Sequence, residues 1–256
     1  MKKLIVSGCS FTDKNFESIC HPDRDFTWPK WPELLAKKLN MECINLAQSG
    51  KGNEFIYSTL LDEILNTNKE DIGLVIAAWS QCHRKDYQVY EYGKWRDHRV
   101  DPDGDLLNWV KRSIRYMQSF KILCERFNLP YIHFQMINLY KDFLWGLRPT
   151  EKERLEGKTD EKDRLKYPGN DKEDEKNIIK LLLNEKYIDD SKFIGWPIAR
   201  QLNGFTVSST TLGLESTQRL SDKLIVSELD DHPNEEGHKK IMEYIHGQLV
   251  HRLSIK

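Results

Sequence analysis

The chain has 256 residues, 39% of them hydrophobic and 31% charged, which suffices for a full α/β core and is read as one domain over 1–256. Its 39 basic and 40 acidic side chains cancel to a net charge of −1, excluding the lopsided positive field of a general nucleic-acid binder. No apolar run approaches bilayer length, which excludes a membrane-spanning helix.

At the start, Met1-Lys2-Lys3 precedes Leu4-Ile5-Val6 and then Ser7-Gly8-Cys9. That apolar run is far short of the roughly 7–15 residues of a signal-peptide core, so a buried first strand is predicted over 3–7. Five cysteines are scattered without Cys-x-x-Cys spacing. They predict reduced thiols in a cytoplasmic protein, with neither a disulfide frame nor a metal site.

Residues 31–39 (WPELLAKKL) have helical spacing, with Pro32 suited to a first turn. Residues 42–47 (ECINLA) predict a second strand, 54–65 a helix with a 3.6-residue apolar period, and 74–79 (LVIAAW) a third strand. A long amphipathic helix is predicted over 106–127 and a fourth strand over 131–137. Short apolar runs alternating with helices indicate a mostly parallel sheet covered on both faces. The predicted fold is a flavodoxin-like three-layer α/β/α sandwich with about five strands.

Residues 151–180 carry nine basic and ten acidic side chains, the pattern of a solvated helical face. They lie within a charged helical insertion or flap expected at about 141–222, in which the apolar 193–197 packs back on the domain. Leu224-Ile225-Val226 is the candidate fifth strand, and an amphipathic helix is predicted from Pro233 to Leu253.

Ligands of open parallel sheets bind at the carboxyl ends of the strands, and three clusters fall there. Gly8-Cys9-Ser10-Phe11-Thr12 follows the first strand; glycine permits a sharp turn that leaves the Ser10 hydroxyl exposed, although serines in such turns often cap helices instead. Asn45 to Gly50 follows the second strand, and Gly50 can present its N–H to a developing oxyanion, or serve only as a loop glycine. Asp230-Asp231-His232-Pro233-Asn234 lies near the end of the chain. Pro233 places His232 at the cap of the last helix, where a carboxylate one or two residues earlier can fold back to Nδ1 and orient the ring.

The order and placement of these clusters resemble the SGNH hydrolases, the GDSL-like esterases and lipases, over roughly residues 1–85 and 222–252. The resemblance implies Ser10 as nucleophile, His232 as base and Asp230 as the acid, with Asp231 behind it. It also implies an oxyanion hole from the N–H groups of Ser10 and Gly50. The third block departs: where that family carries an asparagine, the strand end reads Ala77-Ala78-Trp79-Ser80-Gln81-Cys82-His83-Arg84, so Ser80 or Gln81 has to donate.

Trp79, Gln81, His83 and Arg84 are candidate substrate contacts at that strand mouth. Trp28, Trp31, Trp79, Trp145 and Trp196 are either core residues or the lining of a sugar cleft. Cys9 is expected to be a buried thiol, His133 a core histidine and His238 structural. The implied activity is cleavage of a small-molecule or carbohydrate ester, without a cofactor. An acyltransferase using the same residues, or a binding protein that keeps the fold without the hole, are the alternatives.

Overall fold

The computed structural model describes residues 1–89, 94–98, 101, 104–140, 171–188, 191–214 and 223–253. In chain order the first elements are β1 (Lys3–Ser7), α1 (Trp31–Lys38), β2 (Glu42–Asn45), α2 (Asn53–Asn66), β3 (Ile72–Trp79), β4 (Lys85–Val89) and β5 (Lys94–His98). Then come α3 (Leu106–Arg126), β6 (Tyr131–Gln135), α4 (Asp171–Leu183), β7 (Phe193–Ile194), α5 (Val207–Leu212), β8 (Ile225–Ser227), β9 (Asp230–Pro233) and α6 (Glu235–Leu253).

A five-stranded parallel sheet runs in the order β2-β1-β3-β6-β7. Ile5 is paired with Ile44 on one side and Val75 on the other, and Ala77 with His133. Alternation along β3 explains the layers, since successive side chains of a strand face opposite ways. Leu74, Ile76 and Ala78 join Trp31, Leu35, Ile241, Ile245 and Leu249 of α1 and α6. Val75, Ala77 and Trp79 join Ile56, Leu60, Val110 and Phe120 of α2 and α3 on the other face. The sandwich predicted from periodicity is present.

Two expectations need correction. Residues 224–226 do not extend the main sheet; β8 forms a separate antiparallel hairpin with β9, and the fifth strand is Phe193–Ile194. His232 lies within β9 rather than at a helix cap, because Asn234 does the capping: its Oδ1 accepts from Gly237 N at 3.0 Å. Much of the expected 141–222 insertion, including 141–170 with Trp145, lies outside the described residues. Of the rest, Ile178, Leu182, Val207 and Leu212 are buried in the two cores.

The chain runs from β1 to β2 on one flank and then crosses to β3 on the other. The strand order therefore reverses between β1 and β3, and the carboxyl ends at such a reversal are where doubly wound sheets bind ligands. The loops after β1 and β3 lie at that reversal.

Candidate active site

β1 ends at the buried Ser7, and Gly8 allows the turn. A Cβ on Gly8 would stand 2.5 Å from Thr12 Oγ1 and 2.7 Å from Thr12 Cβ, so a side chain there is excluded. Cys9 O accepts from Thr12 N at 2.8 Å and Asp13 N at 3.0 Å, closing the turn around Ser10. Cys9 is fully buried, as expected, and Ser10 is half-exposed. No helix follows directly; a loop over 8–30 intervenes before α1.

The β8–β9 hairpin brings His232 to this turn. His232 Nε2 lies 2.8 Å from Ser10 Oγ, and Nδ1 lies 2.6 Å from Asp230 Oδ1. The same carboxylate oxygen accepts from His232 N at 3.1 Å. Asp230 is 1% exposed. Burial pushes its carboxyl upward, but the His232 ring's hydrogen bond and charge, the Ser18 hydroxyl and the His232 amide outweigh that and bring it down to about 2. An ionised carboxylate only accepts, so it fixes the ring proton on Nδ1 and leaves Nε2 to accept from the Ser10 hydroxyl. Phe16 stacks on the imidazole at 4.3 Å between centroids, and Phe11 packs against it at 4.8 Å. The residues predicted as nucleophile, base and acid thus form one continuous hydrogen-bonded chain. The side chain of Asp231, the reserve acid, makes no hydrogen bond to another described residue.

The loop after β2 is tied to this turn. Asp13 Oδ2 accepts from Ser49 N at 2.8 Å and Ser49 Oγ at 2.7 Å. Asn45 Nδ2 donates to Thr12 O and to Glu33 Oε1, each at 2.8 Å, and Gln48 N donates to Gly8 O at 3.2 Å. Gly50 follows in this exposed turn with φ +82°, a left-handed conformation that disfavours side chains.

At the end of β3, Ser80 N donates to Asn53 Oδ1 at 2.7 Å, and Ser80 Oγ accepts from Arg84 Nη1 at 3.0 Å. Arg84 also donates to Gln81 Oε1 at 3.0 Å and to Lys51 O at 2.9 Å. Arg84 and Gln81 are therefore engaged in lacing the loops after β2 and β3 together.

Trp79 departs from its expected substrate contact. It is fully buried, set edge-on to Phe120, and its Nε1 donates to His133 Nδ1 at 3.2 Å. His83 is buried too, which removes it from the cleft surface. Of the tryptophans, Trp31 is core, Trp196 packs on Phe193, and half-buried Trp28 borders a cleft of about 270 Å³ with Arg24, Asn234 and Lys239. His133 and His238 are both buried, as expected.

Among the described residues no cluster of three or more His, Cys, Asp or Glu side chains has the arrangement to hold a metal, and no helix is long and apolar enough to cross a membrane.

No family model and no curated protein sequence matches the chain. Solved structures do. One, named as a lipolytic protein of the G-D-S-L family, comes from Desulfitobacterium hafniense DCB-2. It is 16% identical over 97% of this chain and 100% of its own, with a TM-score of 0.48. The psychrotrophic esterase EstA from a Pseudoalteromonas species is 10% identical over 99% of this chain and 100% of its own, also at 0.48. The acetyl xylan esterase Est2A from Butyrivibrio proteoclasticus is 11% identical over all of this chain and 65% of its own, at 0.44. Likeness at these levels assigns no activity. The chemistry has to come from the side chains.

Sequence reading missed Asp13, Phe11, Phe16 and Ser18. Their proximity to Ser10 in the chain was visible, but nothing in the spacing indicated that the 8–30 loop folds over the β8–β9 hairpin.

Proposed function

We propose that the chain is a serine hydrolase of the SGNH type that cleaves carboxylic esters. The observation that carries this reading is the chain from Asp230 Oδ1 to His232 at 2.6 Å and from His232 Nε2 to Ser10 Oγ at 2.8 Å. The Ser10–His232 spacing suits proton transfer from nucleophile to base, and the His232–Asp230 spacing suits a carboxylate that orients the ring and stays ionised.

In this mechanism Ser10 Oγ attacks the ester carbonyl carbon while Nε2 takes the hydroxyl proton. The resulting imidazolium is balanced by the Asp230 carboxylate. The tetrahedral intermediate collapses, the alcohol leaves with the proton from Nε2, and an acyl ester remains on Ser10. Water then gives a proton to Nε2 and attacks the acyl carbon. Collapse returns the proton to Ser10 and releases the acid.

The N–H groups of Ser10 and Gly50 are assigned to the oxyanion. Ser80, the side-chain donor expected from the sequence, is fully buried with its hydroxyl bonded to Arg84, so no third donor is assigned. We assign the substrate as a small ester, with a carbohydrate ester the narrower form. The five thiols, none in a disulfide, fit a cytoplasmic setting.

The test is hydrolysis of p-nitrophenyl acetate and of an acetylated xylo-oligosaccharide by wild type, Ser10→Ala and His232→Ala. Turnover by the wild type that disappears in both variants supports the reading. A folded wild type inert on both substrates, or turnover that persists in Ser10→Ala, contradicts it.

A further inference from the structure

We infer that Ser18 is a positioning residue of this site, acting through Asp230. Asp230 has two carboxylate oxygens to satisfy in a place with almost no solvent. Oδ1 takes both His232 contacts, and Oδ2 accepts from the Ser18 hydroxyl. Ser18 is 3% exposed, so no bulk water stands ready to replace it. The hydroxyl is itself aimed: Ser18 Oγ accepts from His21 N at 3.2 Å, which directs its single proton toward Oδ2.

The loop carrying Ser18 is fastened to the hairpin carrying Asp230. His21 Nε2 meets Ser227 Oγ at 2.7 Å, and Arg24 Nη1 donates to Val226 O at 2.7 Å. Phe16 of the same loop stacks on His232 and packs against Phe26 and Val226. Without Ser18 the carboxylate is held on its Oδ1 side alone and its last torsion is less restrained. The ring then loses the fixed partner that holds its tautomer and its aim at Ser10.

This inference rests on the hydrolase reading, and the experiment separates the two. Ser18→Ala, Ser18→Thr and Ser18→Val are compared by the second-order rate of fluorophosphonate labelling. Threonine and valine have nearly the same shape, so any strain from the added methyl group is common to both and only the hydroxyl differs. Loss of a hydrogen bond to a charged group predicts a drop of about tenfold or more for Ala and Val, with Thr close to wild type. In an Asp230→Asn background Ser18→Ala is expected to have little further effect, because the two act as a unit. Equal rates for Thr and Val, or a full effect of Ser18→Ala in that background, overturn the inference.

If the wild type takes no label, the hydrolase reading fails and Ser18 is judged by the carbon-13 titration of the Asp230 carboxyl. Ser18→Val should then titrate higher than Ser18→Thr. Identical titrations overturn the positioning role on their own.

Discussion

Replacing Asp230 with asparagine removes the charge that balances the imidazolium while keeping the side chain's size. With the amide oxygen toward the ring, Nδ1–H retains an acceptor but the imidazolium has no counter-charge. With the amide nitrogen toward the ring, Nδ1 has to accept, the ring proton moves to Nε2, and the 2.8 Å contact to Ser10 Oγ loses its acceptor. The carboxyl is held at about 2 against an ordinary 3.8, a preference for the anion worth roughly 2–3 kcal/mol. At 1% exposure it needs no discount for screening. Tautomer loss adds to it, so kcat/KM on p-nitrophenyl acetate should fall by about 10³–10⁴, or roughly 4–5.5 kcal/mol of transition-state stabilisation. KM should move little, since Asp230 lies behind His232 and away from the ester. Asp231→Asn is the control: it removes no hydrogen bond among the described residues, and a change below about twofold is expected. Comparable losses of less than about tenfold from both variants would refute this account of how the ring is held.

His238 is buried and held down at about 3, first by burial and then by the charges of Lys30 and His232. The unfolded chain therefore takes up a proton that the folded one refuses. Stability should fall as pH drops below 6.5, by about 2.5 kcal/mol at pH 4.5. Urea melts at pH 7 and 4.5 should show that loss in wild type and much less of it in His238→Asn, whose side-chain oxygen can still accept from Trp31 N, the present partner at 3.3 Å. Gly8→Ala sets a methyl 2.5 Å from Thr12 Oγ1. It should cost about 1–3 kcal/mol in a denaturant melt and slow Ser10 labelling, because the nucleophile's own turn is displaced. Ser80→Ala should change kcat by less than about threefold, because the hydroxyl is fully buried and bonded to Arg84. Gln81→Ala should be nearly neutral in the same assay, since Gln81 Oε1 already serves Arg84; no loss in either variant would leave the hole to backbone groups alone.

The sheet was legible because burial imposed a simple period. β3 is apolar on both faces, and α3 shows buried positions such as Leu106, Trp109, Val110, Ser113 and Met117 at helical spacing. The β4–β5 hairpin was invisible for the opposite reason. Its first strand reads Lys-Asp-Tyr-Gln-Val, and what fixes it is a buried carboxylate. Asp86 accepts from Gly52 N and Phe55 N and so caps α2 from outside that helix. β7, only two residues long, gives no periodic signal. Residues 224–226 pair with β9 instead of the main sheet, because three apolar residues carry no information about their pairing partner. Ser10, Asp230 and His232, which meet in one hydrogen-bonded chain, could be named because their residue types are those that nucleophilic catalysis uses. Ser18, Phe16 and Asp13 could not, because they act only by proximity across more than 200 residues or between loops.

The proposed role of Ser10, a nucleophile activated by His232, can be read from the intact mass of the protein after reaction with a fluorophosphonate, followed by peptide mapping. The expected result is a single adduct on Ser10 that forms in wild type, is absent in Ser10→Ala, and is slowed at least a hundredfold in His232→Ala. An adduct on any other residue, or an unmodified Ser10 in a folded wild-type protein at saturating probe, would contradict it.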